Sequence, residues 1–342
     1  MMNETEKSLD KEILSSIRQV MFKNGSATKG ELRDTLDISF PTISKFLSRM
    51  EKNEEVVSVG LDESSGGRRA KRYLYNHDCM LGLAIILERD KVNYLIFNCA
   101  GEVKEEGKGP SVLTDDGLSS LTTFIEEIIT THSSKIKSLA IGVPGSVNND
   151  RIFYIPDYKS FQNVDLKGHF EDYFSLPVVI ENDMNAAVLG FYYHRRMKDN
   201  RSLVYLNVSH NGQGAGFMIN GDVVRGSTFF AGEISFVPQY SDRNFGQAFE
   251  KKASFGKKLI YENKQIDAIS RLVASFVAII NPHTIIFCSD EMNQRLVKEI
   301  NRISSTYIPS EHLPEIVMSN WRQDYLFGLR KLGLDLIMNR PI

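Results

Sequence analysis

Apolar and polar positions follow two rhythms along this chain, and the change falls near residue 80. Before it, apolar residues recur at helical spacing. Ile13, Leu14, Ile17, Val20 and Met21 mark one helix, which Asn24-Gly25 closes. Thr28 with Glu31 forms a capping-box pattern that opens a second short helix through Leu32 and Leu36. After a tight turn at Asp37-Ile38-Ser39, Pro41 suits the first turn of a third helix with the apolar stripe Ile43, Phe46, Leu47 and Met50. Val56, Val57 and Val59 then predict a strand, and Tyr73-Leu74-Tyr75 a second.

Beyond residue 80 strands and helices alternate. Residues 81–86 and 94–97 read as paired strands, 118–130 as an amphipathic helix, and 136–143 as a buried strand ending in Pro144-Gly145. Val178-Val179-Ile180 is another apolar run, and it ends in Glu181-Asn182-Asp183. Residues 203–208 predict a strand followed by a Gly-rich turn. Residues 272–280 predict a helix that leads through Asn281-Pro282 into a strand over 284–287. The pattern is that of two α/β halves able to present strand ends to a shared cleft, where open sheets hold ligands.

Bulk properties add exclusions. The 342 residues carry a net charge of −2, with 42% hydrophobic and 25% charged residues, so there is no overall pull toward nucleic acid or membrane. Cys79, Cys99 and Cys288 form no CxxC pair, which points to a reducing compartment and away from a disulfide framework. The polar N-terminus has no apolar core suited to a signal peptide, and the run 272–280 is too short to span a bilayer. A cytoplasmic location is expected.

Two places carry candidate chemistry. The three N-terminal helices have the plan of a helix-turn-helix. Ser39, Thr42, Ser44, Lys45 and Arg49 then belong to the groove-reading side of the third helix. Between the two strands lies Ser65-Gly66-Gly67-Arg68-Arg69-Ala70-Lys71-Arg72, a Gly-rich turn loaded with cations. It fits the wing of a winged helix, with Arg68, Arg69 and Lys71 directed at phosphates or the minor groove. A polar-faced helical bundle with a solvated basic hairpin is the alternative. The second place is Asn182-Asp183. A carboxylate at a strand end can accept a sugar hydroxyl, take its proton, or simply cap the helix starting at Met184.

The motifs combine into a resemblance. Gly142-Val143-Pro144-Gly145-Ser146-Val147, Glu181-Asn182-Asp183-Met184-Asn185-Ala186-Ala187, Gly212-Gln213-Gly214-Ala215-Gly216, Ala231-Gly232-Glu233 and Asn281-Pro282 occur in the order and spacing of the ROK family of repressors and sugar kinases. The wing motif resembles that of the family's DNA-binding members. The resemblance implies a winged helix-turn-helix over 1–77 and a two-lobed, actin-like sugar-kinase domain over 78–342. The lobes would be about 78–185 with the C-terminal helix, and 186–325. It implies a sugar-responsive transcription regulator acting as a homodimer or homotetramer on double-stranded DNA, with a sugar or sugar phosphate as effector. Asn182, Asp183, Glu233 and Glu250 match sugar-contacting positions. Asp157 stands where the family usually has Asn.

Departures from the family pattern bear on catalysis. Its Asp-x-Gly-Gly-Thr phosphate turn falls on Ala84, Ile86, Leu87 and Glu88. The carboxylate is gone, both glycines are bulky, and Glu88 would repel a triphosphate by roughly 4 kcal/mol at about 4 Å. Gln213 replaces a Thr, and Cys288-Ser289 replace a Gly-Gly. Ile234-Ser235-Phe236 follows Ala231-Gly232-Glu233 where the family has an aliphatic residue and Gly-His, and residues 237–249 lack the family's zinc-binding cysteines. Phe236 would stack on a sugar face or fill the space of the missing His, the latter being favoured. Neither ATP nor zinc is expected, and the chain is expected not to be an enzyme. The alternative is an ATP-dependent kinase with Asp183 as general base.

Overall fold

The computed structural model describes residues 4–61, 70–132, 135–148, 151–154, 161, 164–197, 199–209, 212–249, 261–290 and 292–339. The chain divides into two compact units. One comprises Met1–Ile141, Leu166–Val179 and Arg330–Ile342; the other comprises Gly142–Asp165 and Ile180–Leu329.

The first unit begins with three helices, α1 (Glu4–Asn24), α2 (Lys29–Leu36) and α3 (Phe40–Lys52). A three-stranded sheet ordered β1-β3-β2 is built from β1 (Ser26–Thr28), β2 (Val56–Leu61) and β3 (Lys71–Tyr75). The Thr28–Glu31 capping box forms as its spacing requires, and the Ser39 side chain caps α3 by accepting the Thr42 N–H. Ile43, Phe46, Leu47 and Met50 are all buried, as the stripe predicts. Strand β1 carried no readable pattern in three residues; it exists because its backbone pairs with β3.

A buried ion pair sits beneath these elements. The Arg18 guanidinium donates to both Glu55 oxygens, at 2.5 and 3.1 Å, and the Tyr75 hydroxyl donates to Oε1 at 3.0 Å. Arg18 also reaches the Met338 carbonyl at 3.4 Å. The two side chains are 2% and 4% exposed, so each charge depends on the other for compensation.

Two larger sheets follow. The first contains β4 (Leu81–Leu87), β5 (Lys91–Asn98), β6 (Val103–Pro110) and β7 (Ile136–Val143), with helix α4 (Gly117–Thr131) between the last two. After the hairpin β8 (Ser146–Asn148) and β9 (Arg151–Tyr154), and helix α5 (Leu166–Phe174), β10 (Val178–Asn182) completes it. Its order is β10-β7-β4-β5-β6. Helix α6 (Asp183–His194) leads to the second sheet, ordered β13-β12-β11-β16-β17. That sheet contains β11 (Leu203–Ser209), β12 (Gly212–Ile219) and β13 (Asp222–Val224), then β16 (Thr284–Cys288) and β17 (Glu315–Ser319). Between β13 and β16 lie the hairpin β14 (Pro238–Tyr240) and β15 (Arg243–Asn244), the short helix α7 (Phe245–Phe249), and α8 (Asn263–Ile280). Helix α9 (Gln294–Ser304) precedes β17, and α10 (Trp321–Met338) follows it. Counted in chain order, each sheet runs 3-2-1-4-5, so one topology occurs twice.

Two expectations need correction. Helix α8 begins at Asn263, not residue 272. Its first half is amphipathic, and Glu262 and Gln265 cap it reciprocally. The Gly-rich segment after β11 is not a turn but strand β12, paired with β11 from Leu203–Met218 to Ser209–Gly212. Helices α6 and α10 cross where Gly190 and Gly328 lie. A Cβ on Gly190 would collide with the Asp324 carbonyl, and one on Gly328 with that of Ala186.

Glu55→Ala leaves Arg18 buried without its carboxylate. It is expected to lower stability by about 3–5 kcal/mol in urea denaturation followed by circular dichroism. An unchanged midpoint would show that the pair does not hold the N-terminal elements.

Candidate functional site

The exposed side of α3 is less positive than the sequence reads. Lys45 donates to both Asp10 oxygens at 3.0 and 3.2 Å, and Arg49 lies 3.6 Å from the same carboxylate, so α1 supplies a counter-charge to both. Lys71 pairs with Glu51 at 2.9 Å and is held above its ordinary value chiefly by that hydrogen bond. Ser44 accepts from Lys29, and Ser39 bonds Thr42 at 2.8 Å while capping the helix. Arg68 and Arg69 lie outside the described residues.

The second unit contains a cavity of about 200 Å³ lined by Pro144, Gly145, Asn182 to Met184, Asn207, Gly212 to Ala215 and Ala231 to Glu233. This is below the ~300–1,000 Å³ of drug-sized sites, as suits a small polar ligand. The structure thus brings together Asn182, Asp183 and Glu233, although Asp183 and Glu233 lie far apart in the chain. Asp157 and Glu250 lie outside the described residues.

Asn182 and Asp183 have different tasks in the cavity. Asn182, not Asp183, caps α6: its Oδ1 accepts from Met184 and Asn185 at 2.9 and 3.1 Å, and its amide donates to the Gly145 carbonyl at 2.9 Å. One amide N–H is left over. Asp183 is the first helical residue and accepts the Met184 N–H at 2.8 Å. Burial pushes its carboxyl up to about 7, against the lowering effect of the Met184 hydrogen bond, and the nearby Glu233 charge pushes the same way as burial. Near neutrality Asp183 is therefore shared between donor and acceptor forms.

Behind these residues stands a pair that sequence reasoning missed. Glu181, 3% exposed, accepts from Arg225 at 2.5 Å, from the Asn182 N–H at 3.0 Å and from the Asn185 amide at 3.1 Å. The Arg225 carbonyl accepts the Ala231 N–H at 3.4 Å. Arg225 therefore ties the Asn182–Asp183 segment to the Ala231–Glu233 segment. No local pattern marks it, since 44 positions separate it from Glu181.

The positions onto which the resemblance places the phosphate turn lie at the end of β4. Ile86 and Leu87 are buried in β4, and the Glu88 N–H is bonded to Lys91 O at 3.0 Å. Glu88 pairs with Lys91 at 3.1 Å, so its charge is partly answered. On β12, a Cβ at Gly216 would collide with the Met184 carbonyl, so this glycine serves the approach of strand to helix. Phe236 does not fill an interior space: it is 60% exposed. Residues 237–249 hold neither Cys nor His, so this segment's donor set does not suit zinc. Its hairpin is held instead through Asp267, which accepts from Tyr240 and Arg271 at 2.8 Å each, and from Tyr307.

A doubled 3-2-1-4-5 sheet with a polar cavity at the head of α6 defines the actin-like fold shared with sugar kinases. Residues 83–247 match the model of the ROK family. It is 26% identical over 235 residues to the xylose repressor of Bacillus subtilis, covering 67% of this chain and 59% of that protein. The chain thus spans less than two thirds of that relative's length. In fold it is similar to a ROK family transcriptional regulator described as a homolog of the E. coli MLC protein, with a TM-score of 0.71 at 18% identity, covering 96% of this chain and 98% of the other. It is also similar to a ROK family glucokinase from Streptomyces griseus solved with glucose and AMPPNP, with a TM-score of 0.55 at 17% identity, covering 74% and 99%. Among the described residues no helix is long and apolar enough to cross a membrane.

The raised Asp183 carboxyl favours its neutral form in the folded chain. Its contribution to stability is complete below the ordinary value of about 3.9 and is lost as pH climbs through about 7. Asp183→Asn keeps the Met184 bond and removes the titration. Relative to the wild type, the variant is expected to gain stability between about pH 5 and pH 8, by no more than about 2.7 kcal/mol. Urea midpoints at the two pH values check this; a pH-independent difference would show that the Asp183 carboxyl is not raised in the folded chain.

Proposed function

We propose that this chain is a sugar-responsive, DNA-binding transcription repressor of carbohydrate genes, cytoplasmic and without catalysis of its own. Residues 1–77 would bind double-stranded DNA as a winged helix, and residues 78–342 would bind the effector. The observation that carries the reading is one cavity holding Asn182, Asp183 and Glu233, in a chain whose α3 presents Ser39, Thr42, Ser44, Lys45 and Arg49. Clustered carboxylates and amides bond pairs of sugar hydroxyls, and an unmatched buried polar group costs about 1–3 kcal/mol, which gives selectivity. Asp157 and Glu250 are further contacts on this reading. The effector is a sugar or sugar phosphate, and the Bacillus subtilis relative's name puts xylose first on the panel. Binding in the cavity and binding to DNA would be coupled reciprocally. A homodimer or homotetramer would double the DNA contacts. Bulky Ile86 and Leu87 and the zinc-incompatible hairpin support the absence of ATP and zinc.

One observation favours a second reading. A carboxyl at about 7 is poised for general-base work, as a sugar kinase with Asp183 as base would need. A coupled ATP assay across a sugar panel separates the two. No turnover is expected, and turnover lost in Asp183→Asn would establish the kinase.

For the sensor, a saturating sugar at about 100 times its dissociation constant is expected to add roughly 2.7 kcal/mol of stability, an effect abolished in Asp183→Ala. No stabilisation by any sugar or sugar phosphate would sink the effector role. For the DNA half, Lys45→Ala and Arg49→Ala are expected to weaken operator binding. Arg68→Ala with Arg69→Ala is expected to lower its salt slope by about 0.9 for each phosphate these arginines neutralise. Asp10→Asn, which frees Lys45 and Arg49, is expected to tighten binding. Equal affinity in Asp10→Asn and wild type at low salt would place α3's cations outside the interface.

A further inference from the structure

Three phenylalanines are exposed among the described residues: Phe40, Phe230 and Phe236. Phe40 lies under the Arg33 guanidinium, 4.9 Å from it. Phe230 and Phe236, 52% and 60% exposed, lie against each other with ring centres 5.3 Å apart and planes tilted by 48°. They bracket Ala231-Gly232-Glu233, which lines the polar cavity. The backbone ties both rings to Glu233. The Glu233 N–H donates to Phe230 O at 3.3 Å, and the Phe236 N–H donates to Glu233 O at 3.2 Å, the latter opening one turn of 3-10 helix at Ile234–Phe236. The segment is also held from behind, because Ala231 N–H bonds Arg225 O. Phe229, at φ 58, occupies the left-handed region that non-glycine residues enter at a cost, which marks the loop as constrained.

The arrangement is an apolar ledge built onto the residue that supplies a cavity carboxylate. A monosaccharide whose hydroxyls meet Asp183 and Glu233 needs no such ledge. A sugar with a second ring on its glycosidic oxygen does, because a pyranose or aryl face is the apolar part of an otherwise polar ligand, and aromatic faces reward such contact. We infer that the Phe230–Phe236 pair is a second subsite and that the effector is a ring-bearing glycoside, its first sugar in the Asp183–Glu233 cavity and its second ring on the two phenylalanines. This rests on the sugar-sensor reading above.

The test compares the full chain with Phe230→Ala/Phe236→Ala, titrated calorimetrically with free monosaccharides, disaccharides and 4-nitrophenyl glycosides of the same first sugar. The wild type is expected to prefer a glycoside over its free monosaccharide by about tenfold, with the preference collapsing in the double variant while monosaccharide affinity stays nearly constant. The disaccharide and aryl arms report which second ring fits. Phe236→Tyr is expected to keep the preference and Phe236→Leu to lose it, which separates an aromatic face from mere bulk. Because both side chains are exposed, the urea midpoint is expected to hold. Equal affinity of the wild type for monosaccharides and glycosides would overturn the subsite while leaving the sensor reading intact. A double variant that changes oligomeric state with its sugar preference unchanged would make the ledge a protein interface instead. Failure of every sugar and glycoside to bind would remove the sensor reading, and the subsite with it.

Discussion

The Arg225–Glu181 pair fixes the geometry on which the cavity depends. Glu181 is buried at the end of β10, where an ionised carboxylate is tolerated only if its oxygens are well matched. Arg225 and the Asn185 amide meet that need, and the Asn182 N–H is held by the same carboxylate. Because Glu181 is satisfied in one geometry, the Asn182 cap and Asp183 have one geometry too. The same arginine's carbonyl anchors Ala231, so both cavity carboxylates derive their positions from one residue. Arg225 itself is partly exposed, and the cavity is thus organised from its half-solvated flank.

Several charges among the described residues are balanced in pairs, and this alters how individual residues read. Asp10 answers Lys45 and Arg49, Glu51 answers Lys71, and Lys91 answers Glu88. Exposed pairs of this kind contribute little to stability, about 0–1 kcal/mol, so their weight is electrostatic. They lower the field that α3 projects, and they partly answer the charge at the turn after β4. Asp183 departs from the pattern: burial raises its carboxyl, and the nearby Glu233, of like sign, adds to the rise instead of opposing it.

Much of the fold was legible because local rules and burial agreed. Strand β7 matches its predicted bounds, the Thr28–Glu31 box forms, and the α3 stripe is buried, since period and capping act within a few residues. Strand β12 was missed because its run of glycine and small side chains carries no strand signal; its pairing with β11 and the closeness of Met184 decide it. The first half of α8 was missed because its polar positions mask the period. In the candidate site, Asn182, Asp183 and Glu233 were legible from motifs, but their division of labour was not. That Asn182 is the cap depends on backbone angles, and Arg225 and Asp10 act on residues distant in the chain. The exposure of Phe236 was also unreadable, since a phenylalanine after a helical turn is more often packed inward.

The glycine crossing of α6 and α10 gives the head of α6 a mechanical character. Where backbone meets backbone at Gly190 and Gly328, no side chain is present to change rotamer and absorb a shift. Gly216 of β12 also lies close against α6, at the Met184 carbonyl. A helix clamped this way has little room to shift against α10 at that crossing without moving backbone, because close-packed backbone leaves no side chain there to repack.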